Sequence, residues 1–135
     1  PAALAEAAIP DTQECIWRFG LGGLGTGLAP HRHGAALNQV IVGAKRWLLC
    51  GPDCPRETEA LLKKGQTSQS LLDVLRKLAD SQTQGSEWPK GLLTCTQTAG
   101  ETLYVPAEWT HATLNGGQVL SMSMLSCVKP LRTDL

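Results

Sequence analysis

Residues 100–115 read Gly-Glu-Thr-Leu-Tyr-Val-Pro-Ala-Glu-Trp-Thr-His-Ala-Thr-Leu-Asn, and this stretch decides the fold. Thr102 to Val105 has strand composition, Pro106 breaks it, and strand character resumes from His111 to Leu114. A tight turn at Asn115-Gly116-Gly117 leads to a further strand, Gln118 to Leu125. Upstream, Leu92 to Gln97 and a turn at Ala99-Gly100 extend the pattern. His111 is one of only three histidines; the other two stand together at His31-Arg32-His33, eighty positions earlier. In extended chain an i, i+2 pair places both side chains on one face. A third ring from a distant strand can close a triangle inside a barrel. Neutral imidazole suits Zn, Fe, Cu or Ni, so His31, His33 and His111 are the candidate metal ligands.

Working outward, Glu14 to Phe19 suits a strand. The Gly-rich stretch from Gly20 to Gly27 reads as a loop or bulged connection. A short extended piece follows through Pro30 and the His pair, since proline biases Ala29 towards extended geometry. Leu37 to Val42 and Arg46 to Cys50 are strand candidates around a turn at Gly43-Ala44, expected to pair as a hairpin. The middle differs in kind. Glu57 to Lys64 has helical composition and stops at Gly65. Ser70 to Ala79 reads as an amphipathic helix with Leu71, Leu72, Leu75 and Leu78 on one stripe. Ser70 and Asp73 stand at N-cap and N3 spacing, and Arg76 and Lys77 suit the negative end of the dipole. Ser81 to Gly91 reads as an exposed loop, and the Ala-rich first ten residues suit a short helix before Pro10.

Short strands on both sides of one helical block, at about 57–80, define a mainly β fold: a double-sheet jelly roll or small barrel. A doubly wound sheet would need helices between successive strands. The expected organisation is an extension over 1–13, a barrel over 14–126 and a tail over 127–135.

The 135 residues suit one domain. Twelve basic and twelve acidic residues balance, which argues against non-specific nucleic-acid or membrane-surface binding. No apolar run is long enough to span a bilayer. The chain begins with Pro and no signal-peptide pattern precedes it, so it reads as a processed or trimmed product. Five cysteines without a CxxC fall short of a disulfide scaffold and read mostly as buried small apolar residues. Cys50 and Cys54 bracket a Gly-Pro-Asp turn and could be brought together.

The segments Phe19 to Cys50 and Cys95 to Ser123 resemble the JmjC and cupin-like oxygenases. The shared pattern is a His-x-Asp/Glu pair, a G-x-K-R-W turn (here Gly43-Ala-Lys-Arg-Trp47) and a later G-E-x-L-x-x-P-x-x-W-x-H strand. The likeness is nearest to a small branch carrying His-x-His-Gly, one member of which resides in the endoplasmic reticulum lumen; that lumen or another organelle is the compartment it suggests. The resemblance implies a double-stranded β-helix holding Fe(II), with 2-oxoglutarate beside it. By position, His31 and His111 match the two histidine ligands, and His33 stands where the carboxylate belongs. Lys45 matches the cation for the far carboxylate of 2-oxoglutarate. Ser123 matches a supporting hydroxyl, and Asn38 could face the same cavity. Trp47 and Trp109 read as core residues, and Asn115 as a turn residue.

Two departures matter. Three neutral imidazoles with a divalent ion give a net charge of +2, where two with a carboxylate give +1. Three-histidine iron sites occur in other cupin dioxygenases, and such a set also suits Zn. The position three before His31, often a hydroxyl residue in active relatives, is Leu28. The implied function is therefore an Fe(II)- and 2-oxoglutarate-dependent hydroxylase acting on a protein or small molecule. The alternative is an inactive module that binds a partner, or serves as a subunit of a larger assembly, with or without metal. Other readings fall away. Gly20-Leu-Gly-Gly-Leu-Gly25 matches GxGxxG, but no helix can start before Pro30 and the His pair. No cysteine sits in a nucleophile signature or at zinc-finger spacing.

Overall fold

The computed structural model describes residues 15–125. The expected helix before Pro10 and the tail from residue 127 lie outside them. In chain order the elements are β1 (Ile16–Gly22), β2 (Gly27–His31), β3 (Ala36–Val42), β4 (Ala44–Cys50), α1 (Arg56–Lys63), α2 (Ser68–Thr83), β5 (Leu92–Thr98), β6 (Thr102–Val105), β7 (Thr110–Asn115) and β8 (Val119–Leu125). The strands form two four-stranded sheets, ordered β1-β8-β3-β6 and β2-β7-β4-β5. Every pairing is antiparallel. The chain changes sheet at each step except from β5's predecessor β4 to β5 and, because of this, winds into the double-stranded β-helix expected of a cupin-type jelly roll. The helical insert falls between β4 and β5, which are neighbours in one sheet.

The expected hairpin of Leu37–Val42 with Arg46–Cys50 does not form. β3 pairs with β6 and β8, whereas β4 pairs with β5 and β7 in the other sheet. The connecting Gly43 adopts φ 85°, and a Cβ there would lie 2.1 Å from the Gln118 carbonyl oxygen. This glycine turns a corner between sheets rather than a hairpin.

The Gly-rich stretch is also more ordered than its composition suggests. β1 runs on through Gly22, and β2 begins at Gly27, so only the residues between them turn. A Cβ on Gly27 would sit 1.8 Å from the Thr113 carbonyl oxygen. Glycine is needed here for close strand approach, not for a flexible loop.

Alternation sorts the side chains. On β4, Lys45, Trp47 and Leu49 face the barrel interior, opposite Asn115, Thr113 and His111 of β7. Leu48, Cys50, Ala112 and Leu114 face the other way and pack under Leu62, Leu71, Val74 and Leu78 of the insert. Both faces of this strand are covered, which explains the unbroken apolar run Trp47–Cys50. Trp47 and Leu49 join Val105 in a second cluster inside the barrel, with Trp109 packed against it. Both tryptophans thus serve the core, as expected.

The N-cap of α2 lies three residues earlier than its sequence suggests. Thr67 is the N-cap, in extended geometry at φ −122°, ψ 161°. Its Oγ1 accepts from the Ser70 N–H, and the Ser70 Oγ accepts from the Thr67 N–H, a reciprocal capping box. The helix continues to Thr83, so Arg76 and Lys77 lie in its middle and do not meet the C-terminal dipole. The loop expected from Ser81 accordingly begins later. Cys50 and Cys54 form a disulfide at the foot of the insert, and Cys15 is disulfide-bonded as well. Among the described residues Cys95 is free. The reading of the cysteines as mostly small apolar fillers is corrected by these bonds. On the outer face of β1, Trp17, Phe19 and Leu21 are exposed. Among the described residues no helix is long and apolar enough to cross a membrane.

Candidate metal centre

His31 closes β2 directly opposite His111 on β7. His33 follows just beyond the strand, and its carbonyl accepts the Glu108 N–H at 3.0 Å. Glu108 takes a left-handed conformation, φ 64°, to deliver that bond from the turn between β6 and β7. The ring centroids lie 4.3 Å apart for His31 and His111, 4.7 Å for His33 and His111, and 5.4 Å for His31 and His33. One nitrogen from each ring lies within 4.8 Å of the others.

The tautomers follow from the hydrogen bonds. Nδ1 of His31 contacts the Ala29 carbonyl at 2.7 Å, Nδ1 of His33 the Gly34 carbonyl at 2.6 Å, and Nδ1 of His111 the Trp109 carbonyl at 2.9 Å. A carbonyl only accepts, so each Nδ1 carries the proton and each Nε2 keeps its lone pair for a metal. His111 is buried, and its pKa falls to about 4. Desolvation is the main cause; the Trp109 bond opposes it, and the charges of His31 and His33 add to it. At neutral pH this ring is therefore a neutral donor, the form that ligation requires.

The histidines stand at one side of a cavity of about 670 Å³ between the sheets. Lys45, Asn38 and Ser123 line it too, as does Trp47. Lys45 is buried, and its Nζ crosses the interior to donate to the Ser121 Oγ at 2.9 Å. Burial pushes its pKa down, and no carboxylate pairs with it among the described residues. Among the described residues no Asp or Glu lines the cavity. Asn38 donates through Nδ2 to the Ser123 Oγ at 2.7 Å, so these two act as a pair on adjacent strands. Asn38 is held in turn by Gln97, which donates to its carbonyl and accepts from the Trp47 Nε1 at 2.8 Å.

Sequence reasoning missed Ser121, the direct partner of Lys45. The available signal was alternation: two positions before Ser123 on the same strand, it must share its face. Asn115 is corrected from turn residue to cavity residue. It ends β7, lines the cavity, and donates through Nδ2 to the Thr26 Oγ1 at 3.0 Å. The side-chain amide oxygens (Oδ1) of both Asn38 and Asn115 are buried without a partner. Leu28 sits at the rim, largely exposed, and brings no hydroxyl to the cavity.

A barrel with this strand order, with a three-imidazole cluster and a buried lysine lining one cavity, defines a cupin-type domain. The chain matches the family described as JmjC domain, hydroxylase, over residues 29–125, and it belongs to that family. It is 38% identical over 99 residues to JmjC domain-containing protein 8 of Rattus norvegicus, covering 73% of this chain and 33% of the relative. The Homo sapiens counterpart is 37% identical over the same length and shares. The bifunctional arginine demethylase and lysyl-hydroxylase psr-1 of Caenorhabditis briggsae is 28% identical over 97 residues, 69% of this chain and 24% of the relative. The chain thus spans about a third or less of the length of these relatives.

Proposed function

We propose that this barrel is the core of a JmjC-type hydroxylase that holds Fe(II) at His31, His33 and His111 and 2-oxoglutarate at Lys45. The observation that carries this reading is the shared orientation of the three rings. Each gives its Nδ1 proton to a backbone carbonyl, which leaves three lone pairs for one ion beside a buried, unpaired cation. Such a donor set fits a divalent transition metal. Bound iron would supply dioxygen activation coupled to oxidative decarboxylation of the 2-oxo acid.

The chain's own residues do the rest. Lys45 offers a point charge to the distal carboxylate in a desolvated setting, where the attraction is stronger than in water. Ser121 orients that ammonium, and the Asn38–Ser123 pair shapes the adjoining wall. A lining that, among the described residues, holds Lys45 and Arg18 and no carboxylate favours an anionic ligand. The names of the Caenorhabditis relatives, which act as arginine demethylase and lysyl-hydroxylase, support a protein side chain as the substrate. The disulfides support an oxidising compartment.

A second reading has its own observation. His33 replaces the usual carboxylate, and the site then carries a net +2 with the ion. A Zn-holding or inactive module that binds a partner suits that charge equally well. Anaerobic titration with Fe(II) and 2-oxoglutarate separates the two. The hydroxylase reading expects a metal-to-ligand charge-transfer band that is lost in His31→Ala. Metal uptake with no band supports the module instead. Exchange of His33→Asp that brings the band in would show that this one position had disabled the cosubstrate site.

A further inference from the structure

We propose that Glu59, on the helical insert, is a positioning residue that holds the two histidine-bearing segments at a fixed separation from outside the barrel; this rests on the metal reading above. Arg32 lies between His31 and His33. In extended chain its side chain leaves on the face opposite the two rings. There its guanidinium pairs with the Glu59 Oε1. Thr110 directly precedes His111, and by the same alternation it faces the insert. Its hydroxyl donates to the same Oε1 at 3.5 Å. One carboxylate oxygen therefore touches the immediate neighbours of ligands on β2 and β7, the two strands whose spacing sets the metal triangle.

The bracket itself is firmly seated. Leu62, one turn further along α1, is fully buried, and the buried Thr58 donates through Oγ1 to the Lys90 carbonyl at 3.0 Å. The Cys50–Cys54 disulfide fixes the chain just before the helix begins. Lys63 holds the same oxygen at 2.9 Å from its own helix. These cations, Lys63 foremost, draw the Glu59 carboxyl below its ordinary pKa, so it is ionised at neutral pH. The Lys63 pair could form in an isolated helix, but the Arg32 and Thr110 contacts exist only when insert, β2 and β7 are assembled. Partly exposed pairs of this kind add little to global stability. Their loss should move the rings more than it unfolds the barrel.

The test uses the whole chain, with Zn(II) affinity measured against a chromophoric chelator and the Co(II) d–d spectrum as a geometric readout. Glu59→Ala should weaken Zn(II) binding about five- to tenfold and alter the Co(II) spectrum, with the urea midpoint nearly unchanged. Glu59→Gln, which keeps the shape and part of the hydrogen bonding, should fall between the two. Lys63→Ala, which removes only the intrahelical partner, should stay within about twofold of the parent. The proposal is overturned if both Glu59 variants bind Zn(II) within twofold of the parent and give its Co(II) spectrum. A parent chain that takes up neither ion would bring down the metal reading itself, and this inference with it, before any variant is made.

Discussion

Lys45 shows how a side chain can cost stability and still be kept. It is buried with one hydroxyl bonded to its Nζ and the Trp47 ring 5.9 Å away, and desolvation lowers its pKa. A lysine whose folded pKa lies below the unfolded value of 10.5 carries a destabilising penalty that is fully present below the folded pKa. The penalty is relieved as pH rises through the folded value towards 10.5. Lys45→Met should therefore raise the stability of the ligand-free chain by about 1 kcal/mol, read from urea midpoints. The same change should weaken 2-oxoglutarate binding at least tenfold by calorimetry. His111 gives the complementary pH signature in the metal-free chain. Its folded pKa of about 4 lies below the ordinary 6.5, so its contribution is complete above 6.5 and is lost as pH falls towards 4. Between those limits the loss should reach about 3 kcal/mol, and His111→Gln should flatten that part of the profile. The three rings were legible in the sequence because histidine is rare here and the i, i+2 spacing is geometrically explicit. Ser121 and Asn115 were not, because a hydroxyl or amide in a strand carries no mark of which partner it will find across the barrel.

At the scale of elements, the insert holds the outer face of the β2-β7-β4-β5 sheet. Leu71 is almost fully buried there against Leu48 and Leu62. Leu71→Ala should cost about 2–5 kcal/mol in equilibrium unfolding. Opening the Cys50–Cys54 bond by double substitution to Ala closes no large loop and should cost only about 2 kcal/mol. The strands and the helical block were readable from periodicity. Their neighbours in space were less so. Leu37–Val42 and Arg46–Cys50 sit either side of a short glycine turn, and sequence proximity alone suggests a hairpin. What sends them to different sheets is the left-handed corner at Gly43 pressed against Gln118, a contact between residues far apart in the chain. The start of α2 shifted for a local reason: both Thr67 and Ser70 can cap, and they do so reciprocally.

For the whole molecule, two antiparallel sheets clasp one cavity, and the three-histidine cluster lies where β2 pairs with β7. The fold was legible because a helical block flanked by short strands excludes a doubly wound sheet, and because the motif ending at His111 reads as strand, break and strand, which become β6, a turn and β7. The place of His33 beside the other two rings was legible as well, in its i, i+2 spacing from His31. What the cluster does was not, because residue type and spacing alone do not say whether an anionic ligand docks beside it. The central claim is that three imidazoles hold one ion, and X-ray absorption on the Fe(II)-loaded chain tests it most directly. The account predicts one iron per chain with three imidazole nitrogens at about 2.0–2.2 Å, and the loss of one of them in His33→Ala. An iron bound by fewer than three imidazoles in the parent chain, or a His33→Ala spectrum identical to the parent, would contradict it.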